Sequence, residues 1–256
     1  MYSKNPITLA LWGLLLFSIC FGLGYPTLSR YDPTTDSGLM DSLQYFRLVQ
    51  QGPQAAVGHW RYRILVPYLA KPIYWAVRGR LGNWNPVSFA LLIVNSVFCA
   101  TAAFIVSVLA YGVSANGTAA IAAAFAYLLN FLVSNFHLSG LVDSAEAFLF
   151  ALLTWALLSR KWMLLPIIGL FMGLAKETSV PIAFVFAATW VWLESPPKRT
   201  NAFSTIVIMT VIGLVTVLIV RSVSDQTLAF APGGRWMPRL CLLASLRHSA
   251  MTISGR

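Results

Sequence analysis

The sequence predicts an all-α protein, a polytopic transmembrane helical bundle of about seven spans with interfacial helices in its first outer loop. Three observations predict it. Hydrophobic residues fill 58% of the 256 positions and charged residues only 10%, with a mean hydropathy of +0.72, whereas soluble domains are roughly a quarter charged. The apolar residues gather into charge-free runs separated by short polar links. Trp60, Trp75, Trp84, Trp162, Trp190 and Trp192 stand near the ends of those runs, where an interfacial aromatic belt belongs.

Taken in order, the first run covers residues 7–24. It is long for a signal-peptide core and lacks an A-x-A-like cleavage site, so it reads as an uncleaved anchor helix. Residues 25–85 form the outer loop. Its DPTTDSG stretch is turn composition, and a short helix follows that sets Asp41 and Tyr45 on one face. The stretch 61–80 mixes Arg61, Arg63, Lys71, Arg78 and Arg80 with Leu65, Tyr68, Leu69, Tyr74 and Trp75. That is the pattern of a helix lying in the interface without crossing.

Crossing the hydrocarbon takes about 20 apolar helical residues, a length that 86–112 meets and 203–220 approaches. The runs 118–133, 147–159, 162–175 and 179–193 are shorter. Each spans by recruiting polar-flanked residues at its ends or by thinning the bilayer locally. The transmembrane domain is therefore 1–225. In the tail, 226–256, the spacing of apolar and basic residues makes neither a span nor an ordered polar domain, and it reads as an interfacial helix or as a frameshifted or truncated gene end.

The net charge of +10 and pI near 9.9 fit cytoplasmic loops and anionic headgroups better than nucleic acid, for which no motif is present. Membrane lipids are the expected partners. Placing Lys4, Arg160, Lys161, Lys198 and Arg199 inside sets 25–85, 134–143 and the Lys176–Glu177 turn outside, where nearly all the acidic residues then collect. Cys20, Cys99 and Cys241 are scattered and read as small apolar fillers. The Walker A, dinucleotide, HExxH and GxSxG motifs are absent, which removes the commonest soluble mechanisms.

Four features can carry chemistry. Asp32, Asp36 and Asp41 in the outer loop can act as a general base or a metal ligand, or simply cap turns. Arg61 and Arg63, two apart beside His59, suit bidentate phosphate binding or general attraction to anionic lipid. In SNFHLSGLVDSAEAF, Asp143 and Glu146 share a helical face at a span mouth, near His137; the alternative is an N-cap with a capping box. In GLAKETSVP, Lys176 and Glu177 interrupt a long apolar tract. They can pair with each other, meet a phosphate and an outer-loop arginine, or form a solvated turn.

The order of these features resembles the bacterial polytopic membrane proteins of the GT-C glycosyltransferase superfamily. The likeness rests on the anchor helix, the acidic outer loop, the YR-x-L-x-P segment from Tyr62 to Pro67, GLVDS and the AKET turn, and runs from Ile7 to Arg221. It implies a protein of the bacterial cytoplasmic membrane that uses a polyprenyl-phosphate-linked sugar donor at the extracytoplasmic face. Asp36 or Asp41 would be the catalytic base or a ligand of a divalent metal, and Arg61, Arg63 and Lys176 would lie near the donor phosphate. Asp143, Glu146 and Glu177 complete the expected substrate-binding set. The family's paired acids are here separated, with Pro33, Thr34 and Thr35 between Asp32 and Asp36. Two other readings compete: a transporter or lipid-handling protein with Asp143, Glu146, Lys176 and Glu177 along a pathway, and an inactive truncated product.

Overall fold

The computed structural model describes residues 6–26, 28, 41–194 and 199–229. Every regular element among them is helical: α1 (Pro6–Gly24), α2 (Ser42–Gln51), α3 (Leu65–Val77), α4 (Pro86–Ser114), α5 (Gly117–Leu128), α6 (Asp143–Leu158), α7 (Leu165–Ala175), α8 (Ser179–Glu194) and α9 (Arg199–Ala229). Short 3-10 turns cover Pro53–Ala55, Gly58–Tyr62 and Trp162–Leu164, and a π-helical turn covers Val133–His137.

Local chemistry sets several starts. Asn85 accepts hydrogen bonds from the Val87 and Ser88 amides, and Pro86 opens α4 with a fixed φ and no orphaned N–H. Asn116 does the same for Thr118 and Ala119 at α5. The capping box expected at α6 does not form. Val142 holds the cap position, Asp143 is already helical, and no side chain caps the turn. Both acids are drawn instead toward Lys176.

α1, α4 and residues 201–225 of α9 are long and apolar enough to cross a membrane. The expectation of about seven spans is met at these three; α5, α6, α7 and α8 form where the shorter runs lie but have 12, 16, 11 and 16 residues, below the length of about 20 that crossing takes. α3 has 13 residues. Its start is pinned to the end of α7 by the Ile64 amide donating to the Leu174 carbonyl. The turns that follow it return the chain to Trp84, whose ring lies 5.2 Å from Tyr25 at the end of α1.

α4 is the axis. On one side it packs with α1 and α5 around Leu16, Cys20, Leu92, Cys99 and Leu128. On the other, its first half joins α2, α3 and α6 to α9 around Tyr45, Val66, Leu149, Leu153, Ile168 and Met209. Cys20 and Cys99 are buried free thiols, as fillers should be; Cys241 and residues 230–256 of the tail lie outside the described residues. α7 and α9 approach most closely. A Cβ on Gly173 would fall 2.6 Å from the Gly213 carbonyl oxygen, and one on Gly213 would fall 3.0 Å from the Gly169 carbonyl oxygen. This is small-residue packing of a kind common between membrane helices. The outward faces of α1, α8 and α9 present Leu11, Leu14, Ile182, Val185, Val211 and Leu218, surface that lipid covers without cost.

Candidate functional site: a charged cluster at one end of the bundle

Three separate stretches of chain converge where α6 begins and α7 ends. The Lys176 ammonium donates to Asp143 Oδ1 and Glu146 Oε2, each at 2.9 Å, and Ser179 donates to the other Glu146 oxygen at 2.6 Å. Helical spacing puts the two acids on one face of the first turn of α6, where the positive end of the helix dipole favours them. Next to this triad, Arg63 Nε donates to Glu177 Oε2 at 3.4 Å and Arg63 Nη1 donates to the Tyr45 hydroxyl at 3.2 Å. Glu177 therefore meets an arginine of the segment 25–85, one of the pairings the sequence left open. The solvated-turn reading fails, because the Lys176 and Glu177 side chains are only 23% and 17% exposed.

The charges hold one another in place. Burial opposes the charged form of Lys176, but the two carboxylates outweigh it and raise its pKa above the ordinary value. Burial likewise acts to raise Glu177, yet its own backbone N–H and Arg63 prevail and hold the carboxyl below its usual range. Burial pushes the Tyr45 phenol up to about 12; Arg63 opposes this, and Asp143 and Asp41 add to it. Asp41 is thus within electrostatic reach of the cluster. It precedes α2 with helical backbone angles and makes no side-chain cap. Asp36 and Asp32 lie outside the described residues.

His137, at the end of the π-helical turn, is held below its ordinary pKa by burial, with Lys176 acting the same way and Asp143 and Glu146 opposing. The His59 ring lies tilted against Trp60, centroids 4.3 Å apart. Arg61 departs from the expected pairing with Arg63. It turns toward Asp225, 3.8 Å away, while the Tyr62 hydroxyl donates to the same carboxylate at 3.2 Å. The Arg61 and Arg221 guanidiniums lie 5.9 and 5.2 Å from the Tyr62 ring centre.

Sequence reasoning passed over Ser179, Arg221 and Asp225. The last two are ionisable groups four apart at the end of the apolar α9 run, and that signal alone marks a site by default. The described part of the cluster gives no nest for a divalent metal. Among the described residues no three His, Cys, Asp or Glu side chains are grouped to hold one, and an ammonium already bridges the two closest carboxylates. What the arrangement offers is a pair of cations, Arg63 and Lys176, held in fixed positions next to carboxylates.

A family model described as "Predicted membrane protein (DUF2079)" matches residues 66–236, which include Asp143, Glu146, Lys176, Glu177 and Asp225. No curated protein and no solved structure matches the chain.

Proposed function

The chain belongs to the DUF2079 family of predicted membrane proteins, and we propose, from its charged cluster, that it is a glycosyltransferase using a polyprenyl-phosphate-linked sugar at the extracytoplasmic face of the bacterial cytoplasmic membrane. In this reading α1 and α4 to α9 all cross, and the end carrying Arg160 and Lys161 is cytoplasmic by the positive-inside tendency.

One observation carries the reading. The outer-loop groups Tyr45 and Arg63, the α6 acids and the α7–α8 turn meet at a single end of the bundle. A transporter calls for ionisable groups along a path open from both sides. Among the described residues, no Asp, Glu, Lys, Arg or His side chain is fully buried.

The reaction is a direct displacement. The acceptor oxygen forms its bond to the sugar C1 as the bond from C1 to the phosphate oxygen breaks. Asp36 or Asp41 takes the acceptor proton, and Arg63 and Lys176 stabilise the departing phosphate. Of the five N–H groups of Arg63, the described residues engage Nε and one Nη1 proton, leaving an Nη2 edge for a phosphate.

The test avoids the identity of the sugar by using a short-chain polyprenyl phosphate, the product common to all such donors, with the protein in nanodiscs. It should bind more tightly than the matching polyprenyl alcohol, and Arg63→Gln or Lys176→Met should weaken it roughly ten- to hundred-fold, the worth of a charge-assisted hydrogen bond. Equal binding of phosphate and alcohol would remove the donor site.

A further inference from the structure

Below the ion pairs, a cleft of about 350 Å³ is lined by His137, Asp143, Glu146, Phe136, Leu141 and Phe150, with Leu132 and Ala147 completing the wall. Its size falls within the roughly 300–1,000 Å³ typical of small-molecule sites. Its chemistry is graded. Asp143, Glu146, Ala147 and Phe150 occupy one face of α6 at helical spacing, so the wall changes from carboxylate to aromatic over a rise of about 10 Å. The rest of the lining comes from the stretch 132–141, where His137 stands among Leu132, Phe136 and Leu141. Leu132 is 54% exposed, and the exposed Phe131 ring lies 5.9 Å from that of Phe136. The apolar part therefore opens on surface that lipid covers.

His137 Nδ1 is buried, so it faces protein and the rest of the imidazole ring is what lines the cleft. The charge on the wall narrows the ligand. Two carboxylates share one ammonium, Lys176, so the polar level keeps a net negative charge that disfavours a phosphate. Neutral hydroxyls fit such a wall, because each can donate to a carboxylate and bond an imidazole nitrogen.

We infer that this cleft is the acceptor subsite, built for an uncharged polyol head carried on an apolar chain, with the hydroxyls against His137, Asp143 and Glu146 and the chain along Phe136 and Phe150. The inference rests on the transferase reading for the word acceptor. Its chemistry is tested without a donor.

The probe is an alkyl glycoside with a photoreactive group in its chain, applied to the full chain in nanodiscs made without sugar detergents. Cross-links should fall in 132–150, saturate, and be competed by the unlabelled glycoside but not by an alkyl phosphate or alkylammonium of equal length. His137→Phe, which breaks none of the ion pairs, should cut this labelling about tenfold, the worth of one or two hydrogen bonds. Equal competition by the phosphate, better competition by the ammonium, or unsaturable labelling spread over lipid-facing helices would each overturn the inference. The competition series needs no variant. Because polyprenyl phosphate is not used, the donor site and this one fail independently.

Discussion

Arg63 and Glu177 stand 114 positions apart in the chain, yet each supplies the other's main charged partner among the described residues. The sequence carried half of this message. Two charges interrupting an apolar tract had to be satisfied, and an outer-loop arginine was one partner weighed. The choice between that partner and Lys176 was not legible, because it depends on the Ile64 amide docking on the Leu174 carbonyl. A pH dependence follows from the depressed Glu177 carboxyl. A carboxyl whose pKa is lower folded than unfolded contributes stability that is complete above the unfolded value and is lost as pH falls through the folded one. The thermal midpoint of the wild-type chain should therefore fall as the pH is lowered from about 5 toward 3, and more steeply than that of Glu177→Gln. Parallel curves for the two proteins would mean that the pair contributes nothing to folding. The capping box at α6 failed for a related reason. Its spacing was right, but a cation 30 to 33 positions away competes better for the acids than uncharged backbone amides do.

At the scale of elements, the boundaries were readable because charges and turn residues end each apolar run: 7–24 becomes α1 and 179–193 becomes α8 with a shift of one residue at a single end. Length was less readable. The run 118–133 gives a helix of 12 residues followed by turns and a π-helical segment, since Asn130 bonds the Leu132 amide and diverts the chain. The closest contact went unremarked, although Gly169 and Gly173 stand four apart in α7 and signal a small-residue interface. Gly173→Leu should separate α7 from α9 and cost about 1–3 kcal/mol, the usual range for overpacking, read as earlier unfolding in a denaturing-detergent titration. An unchanged titration would mean the helices do not meet at this contact. Gly79→Ala, where a Cβ meets nothing within 4 Å but φ is +76°, should cost about 1 kcal/mol through backbone strain alone.

For the whole molecule, the composition identified the solvent and class, and the family match agrees with both. Which end of each span faces which neighbour is tertiary information that no periodicity holds. It is nonetheless what brings residues of three suspect motifs into one site, with Asp143, Glu146, Lys176, Glu177, Arg63 and Tyr45 at one end of the bundle and Arg160 and Glu194 sharing a cleft elsewhere with Trp162 and Trp190. The central claim is that the charged end faces outward and is one compartment. Compartment-sensitive reporters inserted near Asn116, Gly140, Lys176 and Lys198 test it most directly. The account predicts Gly140 and Lys176 outside with Asn116 and Lys198 inside; reporters at Gly140 and Lys176 that read inside would contradict it, placing the cluster away from any extracytoplasmic sugar donor.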